Sequence, residues 1–238
     1  HAKTIFELMQ KNAKVVILAH QGRKGKDDFI SLEKHAKLLG EEITSLAGEE
    51  KQILFVDDIA GEKAKSAISK LDSGQALLLD NVRFLDSEKT FAKDGKSELV
   101  ENLSSLCDLF VLDAFSVSHR NQASVTGFAG KCPCIAGRVM QMELNAILEF
   151  DSPKKPALLI LGGAKPADSL PILQDWVRKG KVDYALCGGA MGNLMLIASG
   201  ADIGEKSTEF LRASGSLDNL DELKKFYSEN KVKLIIPS

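Results

Sequence analysis

The amino-acid sequence predicts an α/β fold with doubly wound parallel sheets, in which helices cover both faces of each sheet. Two observations support this fold class. Short apolar segments recur along the whole chain and are continuous rather than alternating, which is typical of strands buried on both faces. The segments between them have the apolar spacing of helices, so that strand and helix alternate from one end of the chain to the other.

Seven apolar segments are predicted to be strands. They are Val15–Leu18, Ile53–Val56, Ala76–Leu79, Leu109–Leu112, Ala157–Leu161, Tyr184–Cys187 and Leu234–Ile236. Thr4 is a candidate N-cap for a first helix, and Ser31 for a second helix that Gly40 is expected to end. Apolar residues between 66 and 71 and between 220 and 226 mark two further helices.

A break in this alternation divides the chain into two domains. Apolar residues between 140 and 148 lie on one face of a predicted helix, and a polar segment with two prolines then interrupts the pattern. We predict an N-terminal domain over residues 1–136, an interdomain helix and hinge over 137–155, and a C-terminal domain over 156–238. Both ends look cut, because the chain starts at His1 without an initiator Met and stops directly after an apolar segment.

Composition excludes several classes of partner and site. The 238 residues carry a formal net charge of −2, which favours neither nucleic acid nor an acidic membrane surface. We find no signal-peptide pattern and no apolar stretch of the ~20 residues that a membrane span needs. The four cysteines include one C-x-C without the second pair of ligands that a zinc site requires, so we predict no metal site and reduced thiols in the cytoplasm.

Basic side chains follow three of the predicted strands. In open α/β sheets, ligands bind beyond the carboxyl ends of the strands. The residues at these positions are His20 and Arg23, Arg83, and His119 and Arg120. Each arginine alone is compatible with an ordinary surface position, but three planar guanidinium groups around one crevice would suit a small ligand with several negative charges. The acidic residues at the same strand ends, Asp80 and Asp113, are expected to anchor loop amides rather than to act as bases.

Paired glycines follow two strands in the second half of the chain. Gly162 and Gly163 precede Ala164 and Lys165, and a second pair stands at 188 and 189. Glycine lets the backbone approach a ligand closely, and the N-terminus of the helix that follows favours anions. Neither loop has the G-x-x-x-x-G-K-[ST] or the G-x-G-x-x-G pattern, so a purely structural turn remains an alternative for either pair.

Five segments, in order, resemble the phosphoglycerate kinase family over essentially the whole chain. They are AHQGRKG, LLLDNVRF, VLDAFSVSHRNQASVTGF, LGGAKPADS and CGGAMGN. The resemblance implies two Rossmann-like doubly wound domains joined by a helix, of which the second is incomplete here. It also implies reversible phosphoryl transfer between 1,3-bisphosphoglycerate and ADP, giving 3-phosphoglycerate and ATP, with Mg²⁺ carried by the nucleotide, in a monomeric cytoplasmic enzyme that binds neither nucleic acid nor membrane.

The resemblance assigns roles to individual residues. The phosphoglycerate ligands would be His20, Gln21, Gly22, Arg23, Arg83, His119 and Arg120. The nucleotide ligands would be Gly162, Gly163, Ala164, Lys165, Gly188 and Gly189, and Lys165 would also act in catalysis. No residue is assigned to a metal.

Some family features differ or are missing from this sequence. Ser169 replaces a second lysine that many members carry, as in archaeal-type versions, and Ser116 replaces a common glycine. An early Asp-x-Asn segment with a first substrate arginine, and later nucleotide segments, would lie outside residues 1–238. Two alternatives therefore remain open: a non-catalytic phosphoglycerate- or anion-binding protein derived from the kinase fold and, less well supported, a nicotinamide-dependent oxidoreductase.

Overall fold

The computed structural model describes residues 1–151 and 153–237, which fold into two compact units, His1–Asn145 and Ala146–Ser238. The units divide inside the segment 137–155 that was predicted to connect two domains. The finer boundaries of that prediction remain a prediction. Each unit has its own parallel sheets and its own buried core, so the predicted α/β class is confirmed.

The strands of unit 1 form two parallel sheets. In the first sheet β1 (Val15–Ile17), β2 (Ile53–Val56) and β3 (Ala76–Leu79) lie in the order β1-β3-β2. The second sheet pairs β4 (Phe110–Leu112) with β5 (Cys134–Ala136). Strand β5 was not predicted, because its three exposed residues include a cysteine and follow a proline rather than forming an apolar run.

Helices cover both faces of the first sheet. All four residues of β3 are buried, and they point alternately into two different cores. Leu77 and Leu79 pack with α3 (Glu62–Lys70) and α5 (Glu98–Leu103) residues, whereas Ala76 and Leu78 pack with residues of α1 (Ala2–Gln10) and α2 (Glu33–Ala47). Since successive side chains of a strand face opposite sides, this arrangement requires a doubly wound sheet, as the continuous apolar run predicted. The remaining helices of this part of the chain are α4 (Ser87–Asp94), α6 (Ala123–Thr126) and α7 (Arg138–Asp151).

Three predicted helix boundaries differ from those of the structure. Helix α2 does not end at Gly40 but continues to Ala47. Gly40 is buried inside the helix, and an added Cβ atom would lie 3.5 Å from the backbone nitrogen of Ile53, an ordinary van der Waals contact, so the packing does not require a glycine here. Thr4 lies inside α1 rather than at its cap, and its buried hydroxyl group donates a hydrogen bond to Asp113 Oδ2 at 2.8 Å. At the start of α2 the N-cap residue is Leu32, one position after the predicted Ser31, and the Ser31 hydroxyl accepts a hydrogen bond from the Glu33 amide at 3.3 Å.

Unit 2 contains one parallel sheet in the order β6-β7-β8. Its strands are β6 (Leu158–Leu161), β7 (Tyr184–Cys187) and β8 (Leu234–Ile235), and its helices are α8 (Pro166–Arg178), α9 (Gly189–Ser199), α10 (Glu205–Ala213) and α11 (Leu220–Asn230). The helices bury one face of this sheet, because Ala185 and Cys187 are fully buried while Tyr184 and Leu186 alternate with them at 49% and 37% exposure. The opposite face of this sheet, which carries Tyr184 and Leu186, is exposed among the described residues.

Candidate functional site

The buried side chain of Asn81 organises the loops at the carboxyl ends of β1 and β3. Its Nδ2 donates hydrogen bonds to the carbonyl oxygens of Gln21 at 2.8 Å and Ile30 at 3.0 Å. Its Oδ1 accepts hydrogen bonds from the amides of Gln21 at 3.3 Å and Arg83 at 3.2 Å. One amide group thus closes the loop between Gln21 and Ile30 and fixes the backbone that carries Arg83. Asn81 was not among the predicted site residues. Its place two positions after the buried strand β3 was the feature that could have indicated its role.

Asp80 anchors the same region from the neighbouring position. This buried carboxylate accepts hydrogen bonds from the amides of Leu32 and Asn81, both at 2.8 Å. Asp113 acts similarly at the end of β4, where its Oδ1 accepts hydrogen bonds from the amides of Val139 and Met140 at the start of α7. The prediction that both acids anchor loop amides is confirmed.

Gly22 stands where the loop after β1 passes closest to its own later residues. A Cβ atom at this position would lie 2.3 Å from the carbonyl oxygen of Asp28, and the backbone has φ of +68°. Only glycine fits both conditions. The carbonyl oxygen of Gly22 accepts a hydrogen bond from Arg83 Nη1, so this tight loop also holds the guanidinium group of Arg83 in place.

Four of the five predicted basic residues of unit 1 form one charged cluster centred on Arg83, namely His20, Arg23, Arg83 and Arg120. Burial lowers the pKa of Arg83, and the neighbouring charges of Arg120 and Arg23 lower it further. The acidic side chains of Glu88 and Asp28 oppose this effect only in part. The Nε atom of Arg83 is buried and has no hydrogen-bond partner among the described residues. Like charges held this close favour the binding of an anion, which would relieve their repulsion.

Glu88 supports the cluster from the side of α4. Its side chain is 1% exposed and accepts hydrogen bonds from the amide of Ser124 at 2.9 Å and from its hydroxyl at 2.6 Å. Burial raises the pKa of Glu88, while the bonds from Ser124 and the charge of Arg83 act in the opposite direction. Glu88 therefore fastens α6 to α4 and lies close enough to Arg83 to balance part of its charge.

His20 joins this cluster as a half-buried imidazole. Burial lowers its pKa, and the positive charges of Arg83 and Arg120 lower it further. Because the ordinary pKa of histidine is near 6.5, His20 is neutral at pH 7 in the free protein. A bound anion would favour the protonated form and raise this pKa.

We expect anion binding to be accompanied by proton uptake at His20, over the pH range between its lowered pKa in the free protein and its higher pKa in the complex. Since the pKa of His20 rises on binding, affinity should increase as pH falls through about 6.5. Sulfate is the suitable probe because its own charge is constant in this range. Titration calorimetry in two buffers of different ionisation enthalpy measures the uptake. The His20→Gln variant should bind sulfate without uptake, and equal uptake by both proteins would contradict this assignment.

The other predicted ligands of unit 1 differ in their surroundings. Gln21 uses its backbone to bond Asn81, and its side-chain Oε1 lies 2.7 Å from His35 Nε2. Arg120 is half-buried and Arg23 is exposed. His119 is exposed beside Arg120. The structure therefore brings the charges of His20 and the three arginines together. Gln21 and Gly22 make hydrogen bonds that shape the loop after β1. His119 is adjacent to Arg120 in sequence and is exposed.

The glycine loops of unit 2 meet at the carboxyl ends of β6 and β7. The amide of Gly188 donates a hydrogen bond to Leu161 at 2.8 Å, and the amide of Ala190 donates to the carbonyl oxygen of Gly163 at 3.0 Å. A Cβ atom on Gly189 would lie 3.0 Å from the nitrogen of Gly163, and Gly189 has φ of +54°. The two loops are therefore packed backbone against backbone, which explains why the second of them requires a glycine at this point.

A cavity of about 480 Å³ lies against these loops, within the range of small-molecule sites. It is lined by Gly163, Ala164, Gly189, Ala190, Asn193, Lys206, Ser207 and Phe210. The four residues from Asn193 onward were missed by the sequence analysis. Asn193 comes from α9 and ends the quoted segment CGGAMGN, whereas Lys206, Ser207 and Phe210 come from α10, outside the five quoted segments. A lysine and an aromatic residue on successive turns of α10 were the signal available there.

Lys165 and the first residues of α8 stand beside the cavity-lining residues Gly163 and Ala164. Lys165 is the exposed N-cap residue of α8, and Pro166 follows as the first helical residue. The first amides of a helix lack partners within it and carry partial positive charge. Gly162 and Gly188 are each open enough that an added Cβ would find its nearest neighbour only at 3.9 Å. This end of unit 2 thus offers glycine backbone, a helix N-terminus and a lysine, a combination that suits phosphate groups.

Comparison with known proteins identifies the family to which this chain belongs. The sequence model described as phosphoglycerate kinase matches residues 1–238. The chain belongs to the phosphoglycerate kinase family. It is 37% identical over 241 residues to the phosphoglycerate kinase of Methanobacterium bryantii and 38% identical over 242 residues to that of Methanopyrus kandleri. Each match covers 100% of this chain and 58% of the relative.

Solved structures of the family share this fold. The crystal structure of phosphoglycerate kinase from Pyrococcus horikoshii superposes with a TM-score of 0.84 at 34% identity, covering 98% of this chain and 57% of that protein. The structure of phosphoglycerate kinase from Coxiella burnetii gives a TM-score of 0.73 at 29% identity, covering 99% and 56%. The chain thus spans somewhat more than half the length of the family members it matches.

The described residues include neither a membrane-spanning helix nor a cluster of metal-binding side chains. Within residues 1–151 and 153–237, no helix has both the length and the apolar character needed to cross a membrane. The same part of the chain contains no group of three His, Cys, Asp or Glu side chains arranged to hold a metal ion.

Proposed function

We propose that this chain contributes the phosphoglycerate site and part of the nucleotide site of a phosphoglycerate kinase. The reaction is reversible phosphoryl transfer between 1,3-bisphosphoglycerate and ADP, giving 3-phosphoglycerate and ATP. The observation that carries the proposal is the cluster of His20, Arg23, Arg83 and Arg120, whose charges perturb one another and are only partly balanced by Glu88 and Asp28. Family membership supports the choice of this reaction over other uses of an anion site.

In the phosphoglycerate site, the arginines bind the phosphate and carboxylate groups of the substrate. A guanidinium group pairs with either anion through two parallel hydrogen bonds. Arg83 is the central member because its Nη1 is already held by Gly22, which fixes the direction of the guanidinium plane. His20 adds a donor that becomes charged as the anion binds, and His119 and Arg120 complete the set from the segment after β4.

In the nucleotide site, the cavity beside Gly163 and Gly189 receives ATP or ADP. Its apolar wall, formed in part by Ala190 and Phe210, suits the base, whereas Lys206 and the amides at the glycine loops suit phosphate oxygens. Mg²⁺ would enter on the nucleotide phosphates, since magnesium commonly binds through substrate phosphates and water rather than an all-protein cage. When bound, it neutralises phosphate charge during transfer.

Catalysis then depends on alignment and charge neutralisation. Lys165 provides a mobile positive charge next to the glycine loop, and we assign it to the transferring phosphoryl group. Phosphoglycerate and nucleotide held on separate units react only after the units close on one another, which also excludes water. The α7 helix runs through the position where the two units divide and is the proposed hinge.

The proposal extends to partners and location. Its substrates are small molecules, and we assign no nucleic acid and no membrane to this protein. A cytoplasmic location agrees with four free cysteines, since reducing compartments keep thiols unpaired. We propose that the protein is a monomer, as the family resemblance implies.

Two measurements test this function. Calorimetric titration of the chain with 3-phosphoglycerate should give saturable binding that weakens as salt is added. A coupled assay with 3-phosphoglycerate and MgATP on the complete protein should give turnover, and Lys165→Ala should reduce kcat more than it raises KM. Binding without turnover by the complete protein would favour the non-catalytic anion-binding alternative. No binding by a folded chain would refute the assigned acid site.

A further inference from the structure

Two cysteines of unit 1 place their sulfur atoms in direct contact. Cys107 Sγ and Cys132 Sγ lie 3.2 Å apart, although 25 positions separate the residues in sequence. Both cysteines are free and both are only half-buried. Neither belongs to the phosphoglycerate site or the nucleotide site, so their proximity is not explained by the proposed reaction.

The backbone on either side holds the two thiols in this position. The amide of Phe110 donates a hydrogen bond to the carbonyl oxygen of Pro133 at 2.9 Å, and β4 continues in parallel register with β5 from that point. The rings of Phe110 and Phe128 stack with centroids 4.9 Å apart. Cys132 is fixed further by the hydrogen bond from its amide to Phe128. The pairing of β4 with β5 and the stacked rings of Phe110 and Phe128 thus hold the backbone that brings the two sulfur atoms into contact.

We infer that Cys107 and Cys132 form a dithiol site that two-electron oxidants such as hydrogen peroxide convert into a disulfide. A disulfide requires sulfur atoms about 2.05 Å apart, so the two atoms must approach each other by only about 1 Å from their 3.2 Å separation. This modification is independent of the proposed kinase activity.

The reaction balances as two successive displacements. One thiolate attacks an oxygen atom of the peroxide, the O–O bond breaks, and water leaves once the departing oxygen takes up the proton lost by the thiol. The oxidised cysteine is now a sulfenic acid. The second thiolate attacks its sulfur, the S–S bond forms, and the S–O bond breaks to release a second water molecule. In total, two thiols and one peroxide give one disulfide and two waters.

Cys134 is a neighbour of this pair, and desolvation and the nearby Cys132 raise the pKa of its thiol, but this thiol faces carbonyl oxygens rather than either sulfur atom. Cys134 is exposed and directs its thiol toward the carbonyl oxygens of Cys132 at 3.5 Å and Phe128 at 3.8 Å. Cys187 lies in the other unit, where burial raises the pKa of its thiol to about 11. Burial and the neighbouring Cys132 raise the pKa of Cys107 to about 12, so the rate of disulfide formation should increase with pH between about 7 and 9.

The cross-link would enclose the segment that carries Arg120. The ring from Cys107 to Cys132 contains β4, Asp113, the His119-Arg120 pair and α6. Closing a loop of this length restricts the unfolded chain. Oxidation should therefore raise the unfolding temperature of unit 1 by roughly 10 °C.

Peptide mapping of the folded chain after treatment with hydrogen peroxide tests the inference. The expected product has lost two hydrogen atoms, links the peptides of Cys107 and Cys132, shows the higher unfolding temperature, and returns to the starting state with dithiothreitol. Cys107→Ser and Cys132→Ser should each abolish the link and the temperature shift, whereas Cys134→Ser should retain both.

Several results would overturn the inference. These are a link that includes Cys134 instead, sulfinic acids without a cross-link, or a cross-link that forms only after the chain is denatured. The wild-type peptide map alone decides between them, so the test remains valid if a serine variant fails to fold.

Discussion

The Arg83→Ala variant is expected to bind 3-phosphoglycerate roughly 30- to 100-fold more weakly than the unchanged chain. This corresponds to about 2 to 3 kcal/mol, at the lower end of the range for truncating one member of a buried charged pair, because Arg83 is only half-buried. Two losses combine in this variant. The anion loses a donor with two parallel N–H groups, and the loop at Gly22 loses the hydrogen bond from Arg83 Nη1. Titration calorimetry measures the affinity.

Two control variants separate these losses from general effects. Arg83→Lys keeps the charge but not the planar fork, so it should lie between the alanine variant and the unchanged chain. Arg212→Ala removes the same net charge from an exposed position on α10 in unit 2 and should leave the affinity unchanged. Thermal unfolding of each variant establishes that it is folded. An unchanged affinity in a folded Arg83→Ala protein would remove Arg83 from the proposed site.

The strands could be predicted from sequence because burial on both faces leaves a continuous apolar run. Strand β3 is the clearest case: its four apolar residues divide between two cores, and the run gives both the strand and the doubly wound arrangement. Strand β5 was missed since its residues are exposed. In unit 2 the same continuous runs correctly predicted β6 and β7, although only one face of that sheet is covered among the described residues.

Helix boundaries were harder to predict, because glycine and threonine, which are common at helix ends, also occur inside helices. Gly40 was taken as the end of a helix, but it lies buried inside α2, next to the segment that leads into β2. Gly48, eight positions later, is the residue that ends the helix. Thr4 was taken as a cap, but its hydroxyl group bonds Asp113, which is 109 positions away in sequence. A local pattern cannot distinguish these roles when the partner is distant in the chain.

The charged half of the candidate site was more predictable than the half built from neutral groups. His20, Arg23, Arg83 and Arg120 were identified because charged residues directly after buried strands are conspicuous, and their mutual effect on pKa is consistent with one cluster. Asn81 was overlooked although its side chain makes four hydrogen bonds that shape the loop. Its importance lies in which backbone groups it reaches, and that depends on the fold of residues 21–30.

On the nucleotide side, replacing Gly189 with alanine should weaken ADP binding to the chain by at least about 10-fold. The new Cβ would lie 3.0 Å from the nitrogen and 3.1 Å from the oxygen of Gly163, and that oxygen accepts the hydrogen bond from Ala190. The loop of Gly163 must therefore move away from α9, and Gly163, Gly189 and Ala190 all line the cavity. The left-handed backbone adds a strain of about 1 to 2 kcal/mol. Fluorescence titration with a labelled ADP analogue, competed by ADP, measures the affinity.

The Gly200→Ala variant separates loss of the site from loss of stability. Gly200 also has a left-handed backbone, with φ of +92°, but it lies at the opposite end of α9, and an added Cβ would meet nothing within 4 Å. Both variants should unfold at a lower temperature than the unchanged chain, because both place a side chain on strained backbone. Only Gly189→Ala should lose ADP affinity. Equal ADP affinity in the two variants would mean that the contact between the glycine loops does not shape the nucleotide site. The assignment of ADP to this cavity would then be rejected.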